Sequence, residues 1–197
     1  GQCFRMEECG ENRYSLVAKG KYLELIQQDD NILFDCTQKE YNDIWKDYFD
    51  METDYAKIID SIDEEDTYLL TAADYGKGIR ILQQDLWEMV ISFIISQQNN
   101  IKRIRKCINV LCEKYGERKK NANGVPYFDF PTPKSLAETQ IEDLYACGLG
   151  YRSKYIHAAA NSVYHGDIDL SQLWTLDYDN AKKELLKLYG VGTKVAD

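Results

Sequence analysis

The end of the chain carries a turn bracketed by glycines directly before a lysine, in the sequence Leu-Tyr-Gly-Val-Gly-Thr-Lys-Val-Ala-Asp over residues 188–197. One helical pattern ends here and a second begins. Gly190 and Gly192 can adopt positive φ and let a phosphate approach the backbone with no Cβ in the way. The unpaired amides that open the second helix would point at that phosphate, which the helix dipole also favours. The segment therefore predicts a helix-hairpin-helix whose phosphate contact is independent of base sequence.

Three further segments resemble known motifs: Gly1-Gln-Cys-Phe-Arg5, Ser96-Gln-Gln-Asn-Asn-Ile-Lys-Arg-Ile104 and Cys147-Gly-Leu-Gly-Tyr-Arg-Ser-Lys-Tyr155. They are similar to the patterns G-Q-x-F-R, S-x-N-N-N-I-x-R-I and L-G-L-G-Y-R-x-x-Y. With the hairpin, and in this order, they resemble the helix-hairpin-helix DNA glycosylase superfamily, specifically its 8-oxoguanine DNA glycosylase/AP lyase branch. The resemblance covers essentially the whole chain, and four segments in order are far more specific than one.

The resemblance implies a base-excision repair enzyme that flips 8-oxoguanine out of duplex DNA and excises it through a lysine Schiff base. In the family, a lysine at the position of Lys194 attacks C1′ of the damaged nucleotide and expels the base, and β-elimination of the strand follows. An attacking amine must be neutral part of the time, although the ordinary pKa of lysine is about 10.4. A helix N-terminus and a partly desolvated pocket both disfavour the ammonium form, which suits a Schiff-base lysine.

The same resemblance assigns contacts with the bases. Tyr151 would wedge into the stack beside the lesion and replace part of the stacking lost when the base is extruded. Arg152 would reach the orphaned cytosine, with Gln98, Asn99 and Arg103 filling the emptied space. Gln98 stands where the branch commonly has asparagine, so the opposite-base preference stays open. The plainer alternative is that amides at a helix start cap that helix.

Two backbone sites are also implied. The carbonyl of Gly1 would accept the N7 hydrogen peculiar to 8-oxoguanine, where normal guanine presents an acceptor. The carbonyls of Leu186, Leu188 and Val191 match positions that hold a structural monovalent or divalent cation beside the phosphate. Tyr189 departs from the family here, because proline is usual before G-V-G.

The front of the sequence predicts an antiparallel β-meander. Segments 13–19, 22–26 and 32–34 are rich in β-forming residues, and turn residues separate them. The hydrophobic period becomes helical at Thr37, which forms a capping box with Glu40.

Later polar residues mark further helices. Asp85 can cap a helix with Val90 and Ile94 on its buried face. Three more helices are expected: one from Thr139 that stops at Gly148, one from Arg152 to Tyr164, and one from Tyr178 to Leu188. The fold class is therefore α+β, with an N-terminal antiparallel β-sheet segment followed by a mainly α-helical helix-hairpin-helix glycosylase domain. We place the two domains at residues 1–80 and 81–197.

Composition excludes several classes of protein. No apolar run approaches the roughly 18 residues that span a membrane, and no signal peptide opens the chain. Six cysteines show no zinc spacing and no spacing for an iron–sulfur cluster, so we expect reduced thiols and no required cofactor. We expect a monomer in the cytoplasm of a bacterium, or in the nucleus of a eukaryote, with no membrane partner.

Charge is distributed unevenly along the chain. Residues 1–100 carry nine Lys/Arg against 21 Asp/Glu, a net of −12, whereas residues 101–197 carry 15 against 12, a net of +3. The densest basic stretch, residues 102–120, holds eight Lys/Arg. This pattern suits a protein that meets double-stranded DNA with one face, and it equally suits a solvated helix face, so charge alone decides nothing.

Three alternatives remain at this point. Endonuclease III relatives share a lysine in this hairpin and remove oxidised pyrimidines, but they lack the β-rich front and tend to carry an iron–sulfur cluster. A non-catalytic helix-hairpin-helix module would bind DNA without chemistry. A helical protein-interaction domain explains the acidic charge but none of the motifs. The family's catalytic aspartate and closing helices lie downstream of residue 197, so we also expect a fragment with impaired turnover.

Overall fold

The fold begins with a four-stranded antiparallel sheet. The computed structural model describes residues 2–29 and 31–196. Its first four strands are β1 (Met6–Gly10), β2 (Arg13–Ala18), β3 (Lys21–Gln28) and β4 (Asn31–Asp35). Each strand pairs with its neighbours in sequence, in the order β1-β2-β3-β4. The predicted meander is confirmed by β2, β3 and β4, and β1 is an additional strand ahead of the predicted segments.

Alternation along β2 and β3 creates one apolar face. Leu16 lies opposite Leu23 in the ladder, so the side chains two residues further along each strand share their side of the sheet. The buried residues of this face are Leu16, Ala18, Leu23 and Leu25. Trp45 and Tyr48 from the next helix cover them, and together they form the first of two hydrophobic cores.

Helices form most of the remainder. Helix α1 covers residues 38–48, with a π-helical turn at Tyr41–Trp45, and the capping box of Thr37 and Glu40 is confirmed. The others are α2 (Tyr55–Asp60), α3 (Thr67–Tyr75), α4 (Leu86–Ser96), α5 (Ile101–Tyr115), α6 (Pro133–Ala137), α7 (Ile141–Leu144, continued by a π-helical turn at Tyr145–Leu149), α8 (Arg152–Tyr164), a 3₁₀ helix (Leu170–Thr175), α9 (Tyr178–Leu185) and α10 (Thr193–Ala196).

The second core lies among α4, α5 and α8. Asp85 accepts a hydrogen bond from the amide of Glu88, so the predicted cap of α4 is confirmed. Ile91, Ile108 and Ile156 are fully buried and belong to this core, one from each helix. None of the helices in the described ranges has the length and apolar character that crossing a bilayer requires.

Two sequence-based expectations need correction, and one element was not predicted. Thr139 does not cap a helix, because its hydroxyl donates to the carbonyl of Ser135 and α7 begins at Ile141. The helix from Tyr178 ends at Leu185 rather than Leu188. The structure also contains a hairpin that was not predicted, formed by β5 (Arg118–Lys120) and β6 (Pro126–Phe128) with residues 121–125 at its tip.

A buried arginine connects the start of the chain to the helical core. Arg5 is 9% exposed, donates to the carbonyl of Phe128 on β6 and lies 3.7 Å from the carboxylate of Glu88. Phe4 beside it packs edge-on against Phe93 of α4. Burial raises the pKa of Glu88 to about 7, although the charge of Arg5 opposes this rise. The proposed division at residue 80 stays a prediction, since this contact crosses it.

The raised pKa of Glu88 predicts that stability depends on pH. The folded protein holds a proton that the unfolded chain releases near pH 4.5, so the free energy of unfolding should fall as pH rises from there through about 7. The full shift corresponds to about 3 kcal/mol. Glu88→Gln should lose most of this decline in chemical denaturation between pH 5 and 8, and the exposed-site variant Glu142→Gln should keep it. A wild-type stability that stays flat over this range would contradict the assignment.

Candidate active site

The predicted hairpin forms between α9 and α10. Leu188 and Val191 anchor it, since they are 1% and 7% exposed and the amide of Val191 donates to the carbonyl of Leu188 at 3.0 Å. Gly190 has a φ of 91°. Helix α10 then begins with the amides of Val195 and Ala196 bonded to the carbonyl of Gly192. The first amides of such a helix lack partners within it, as an anion-binding turn requires.

The two glycines of the hairpin serve different purposes. A Cβ on Gly190 would lie 2.3 Å from Cγ of Tyr155, so the ring of Tyr155 occupies the space a side chain would need. Gly192, by contrast, does not adopt positive φ, which corrects the expectation for this residue. A Cβ there would meet no atom within 4 Å, so its backbone faces open space. Gly190 therefore fixes the packing of the hairpin, and Gly192 leaves its outer side open.

Lys194 lies in the first turn of α10 and its side chain is exposed. Within residues 2–29 and 31–196, its amine takes part in no hydrogen bond or ion pair. Nothing in that part of the chain therefore has to be displaced before this amine meets an electrophilic carbon. Val191, three residues before Lys194, and Ala196, two residues after it, are buried, so the turn that carries Lys194 is anchored in the core.

The loop between α4 and α5 holds the two predicted amide side chains, Gln98 and Asn99. Gln98 is exposed and has a φ of 46°, in the left-handed region. The amide of Asn99 donates to the carbonyl of Ile95 at 3.0 Å and closes the end of α4. Asn100 caps α5 by accepting from the amide of Arg103. The capping alternative therefore describes Asn100, while Gln98 is the amide that points to solvent.

Arg152 is turned into the protein. It is 4% exposed, and its guanidinium donates to the carbonyl of Gln97 at 2.9 Å through Nε and to that of Gln98 at 3.1 Å through Nη2. It also lies over the ring of Tyr151, 4.6 Å from the centroid. A contact with cytosine requires it to exchange these carbonyls for the base, so that role stays a prediction. Arg103 is exposed and donates to the carbonyl of Gly148 at 3.3 Å.

Aromatic rings connect the turn before α8 to the hairpin. Tyr151 is 46% exposed, and its ring meets that of Tyr155 edge-on with centroids 5.8 Å apart. Tyr155 in turn meets Tyr189 edge-on at 5.0 Å. Tyr189 thus packs against Tyr155 at the position where the family usually has proline. This arrangement places the predicted wedge, Tyr151, and the lysine hairpin on neighbouring parts of one surface.

Two residues of this surface were missed by the sequence analysis. The side-chain amide of Gln97 donates to the carbonyl of Gly190 at 2.6 Å, and Tyr155 packs under the same glycine. Both lie inside segments that resemble family motifs, but residue type and spacing did not indicate that either residue contacts the hairpin.

Comparison with known proteins identifies the family. Residues 91–194 match the HhH-GPD superfamily of base excision DNA repair proteins. The chain belongs to this superfamily. Residues 1–90 match the 8-oxoguanine DNA glycosylase N-terminal domain, which places the HhH-GPD chain in the 8-oxoguanine glycosylase branch. The predicted α+β fold is confirmed.

Solved structures and curated proteins agree with this placement. The apo structure of the Clostridium acetobutylicum 8-oxoguanine glycosylase/lyase is 36% identical with a TM-score of 0.93, and the alignment covers 100% of this chain and 68% of that one. For the same enzyme in complex with double-stranded DNA containing cytosine opposite 8-oxoguanine, the identity is 35% and the TM-score is 0.92. That alignment covers 100% of this chain and 67% of the other. The Saccharomyces cerevisiae N-glycosylase/DNA lyase is 38% identical over 132 residues, 61% of this chain and 35% of the relative. This chain spans 35% to 56% of the length of the curated N-glycosylase/DNA lyases it matches.

The two backbone sites expected of an HhH-GPD chain are not tested by the structure. Gly1 lies outside the described residues. Of the three carbonyls expected at the cation, that of Leu188 already accepts the amide of Val191 and retains one lone pair. The described ranges contain no cluster of three or more His, Cys, Asp or Glu side chains that could hold a metal ion. The cation site at Leu186, Leu188 and Val191 stays a prediction.

Gly190→Ala should disrupt the hairpin of this HhH-GPD chain. The new Cβ meets the ring of Tyr155 and places alanine in the left-handed region, for a combined cost of about 2–4 kcal/mol. Gly192→Ala is the matched control, because its Cβ faces open space and its φ is ordinary. Urea denaturation should separate the two variants by this amount, and equal stabilities would contradict the described packing.

Gln98→Asn should stabilise the protein. A non-glycine residue with left-handed φ is strained, and asparagine tolerates this conformation better than glutamine does. We expect the free energy of unfolding to rise by about 1 kcal/mol in chemical denaturation. Gln98→Ala keeps a Cβ in the same conformation and controls for loss of the amide. If asparagine gave no gain over alanine, the strain at this residue would be refuted.

Proposed function

We propose that this protein is a bifunctional DNA glycosylase/AP lyase of base excision repair, which excises 8-oxoguanine from duplex DNA through a Schiff base on Lys194. The observation that carries the proposal is the exposed Lys194 amine, in the first turn after a Gly190–Gly192 hairpin. Its relatives in Clostridium acetobutylicum and yeast are called glycosylase/lyase and N-glycosylase/DNA lyase, which supports the same reaction class.

The hairpin supplies the contact with the duplex backbone. The open outer side of Gly192 lets a phosphate approach, and the first amides of α10 can donate to it. Exposed basic residues on α5, including Lys102, Arg103 and Lys106, extend a positive surface beside the turn at Gly148. Phosphate contacts of this kind fix the register of the duplex without selecting a base.

The turn before α8, here called the aromatic turn, supplies the aromatic ring of Tyr151 for base extrusion. Tyr151 is half exposed at the tip of the turn and is supported from behind by Tyr155 and the guanidinium of Arg152. A supported ring can enter the base stack and offset part of the few kcal/mol that extrusion costs. Gln98, Asn99 and Arg103 lie next to this turn, where the orphaned cytosine would be left. A duplex with 8-oxoguanine opposite cytosine is therefore the partner we propose, bound by a monomer.

Lys194 then supplies the nucleophile. Its neutral amine forms a bond from Nζ to C1′ of the extruded nucleotide while the glycosidic bond breaks, and the departing base takes up a proton. Loss of the amine proton and opening of the sugar, with protonation of O4′, give the Schiff base. Removal of a proton from C2′ then breaks the C3′–O3′ bond, and this β-elimination releases the downstream strand with its 5′ phosphate. The lysine thereby accounts for both base excision and strand cleavage.

Borohydride trapping tests this proposal on the full-length natural protein. Duplexes carrying 8-oxoguanine opposite cytosine, or thymine glycol opposite adenine, are mixed with the protein, and reduction fixes any Schiff base as a covalent adduct. We expect an adduct on 8-oxoguanine that disappears in Lys194→Gln, because the amide cannot form it. Lys187→Gln, which removes a neighbouring lysine paired with Glu184, should keep the adduct.

The other outcomes discriminate between the alternatives. An adduct on thymine glycol alone would assign the protein to the repair of oxidised pyrimidines. Salt-sensitive duplex binding with no adduct on either substrate would indicate a non-catalytic DNA-binding module. An adduct that persists in Lys194→Gln would assign the nucleophile elsewhere.

A further inference from the structure

We infer that Gln97 is a positioning residue that couples the loop facing the opposite base to the hairpin that carries Lys194. The inference rests on the proposed function, because it assigns a task within that reaction. It starts from one residue that forms two hydrogen bonds, one through its backbone and one through its side chain. The backbone carbonyl of Gln97 accepts from Nε of Arg152 at 2.9 Å, and its side-chain amide donates to the carbonyl of Gly190 at 2.6 Å.

The bond from Arg152 to the carbonyl of Gln97 involves the residue proposed to recognise the opposite cytosine. Arg152 also donates to the carbonyl of Gln98 and stacks on Tyr151, so its guanidinium ties the turn before α8 to the loop after α4. When Arg152 leaves these carbonyls for a cytosine edge, the carbonyl of Gln97 loses its donor. The backbone at Gln97 is then free to move, and only a side chain attached to that backbone can carry the movement further.

The second bond carries the movement to the hairpin. Gly190 is held from two sides, by the amide of Gln97 at its carbonyl and by the ring of Tyr155 under its Cα. Lys194 follows four residues later on the short helix α10, so a shift of Gly190 displaces the base of that helix. Small displacements of a nucleophile have large effects on rate, because attack requires a near-contact geometry.

The loop around Gln97 also has the strain that such coupling can use. Gln98 adopts left-handed φ directly after it, and the side chain of Asn99 then donates to the carbonyl of Ile95 at the end of α4. Release of the Arg152 bonds removes two of the contacts that hold Gln98 in this conformation. The loop therefore has a reason to change shape when the opposite base is bound, and Gln97 is its covalent and hydrogen-bonded link to Gly190.

Hydrogen exchange on the full-length natural protein tests the coupling without requiring turnover. Exchange of the backbone amides of residues 190–196 is measured in the free protein and with duplexes carrying a tetrahydrofuran abasic analogue opposite cytosine or opposite adenine. In the wild type we expect stronger protection with cytosine than with adenine. Gln97→Leu, which keeps the volume and removes the amide, should exchange about tenfold faster when free and lose the difference between the two duplexes.

A matched control and a rate measurement separate positioning from a purely structural role. Gln38→Leu removes another side-chain amide bond, far from the hairpin, and should match the wild type. Single-turnover excision of 8-oxoguanine should show a lower ratio of the rate opposite cytosine to the rate opposite adenine in Gln97→Leu, by about threefold or more. A structural role would lower both rates equally.

The results that would contradict the coupling differ from the result that would contradict the proposed function. Equal protection by the two duplexes in the wild type, unchanged exchange in Gln97→Leu, or an unchanged rate ratio would overturn the coupling. Absence of a borohydride adduct in the wild type would overturn the proposed function instead, and the exchange experiment would still decide whether Gln97 transmits binding to the hairpin.

Discussion

The site depends on the contact between Gly190 and the ring of Tyr155. Helix α8 holds Tyr155 against the second core, and the hairpin can approach it only because Gly190 has no Cβ. This one approach fixes the distance between the aromatic turn and the lysine. It also brings the carbonyl of Gly190 within reach of Gln97. Three segments that are distant in sequence therefore meet at a single glycine.

Polar contacts to backbone carbonyls do the rest of the positioning. Arg152 donates to the carbonyls of the loop after α4, Gln97 to that of Gly190 and Arg5 to that of Phe128. The backbone fixes the direction in which each of these carbonyls points. The side chain that donates to it is therefore held in one position. The surface proposed to bind DNA is thus organised by groups that the sequence does not display as a motif.

The sequence predicted what local chemistry determines. The β-meander, the caps by Thr37 and Asp85, and the helix-to-hairpin transition follow from residue type and spacing. Thr139 was wrongly predicted as a cap because its hydroxyl can equally bond back to the carbonyl of Ser135. The β5–β6 hairpin was missed because three-residue strands, one of them entirely basic, are too short to show alternation. The inward turn of Arg152 depends on carbonyls more than fifty residues away, which no local pattern contains.

The uneven charge bears on how the protein would meet the duplex proposed as its partner. Residues 1–100 are strongly acidic, whereas exposed lysines and arginines line α5 beside the turn at Gly148. A polyanion attracts such a basic helix and repels the acidic residues, so it would favour an approach through α5 and the turn at Gly148. Orientation of this kind acts over about 10 Å at moderate salt. The excess of acidic residues would then disfavour encounters in other orientations.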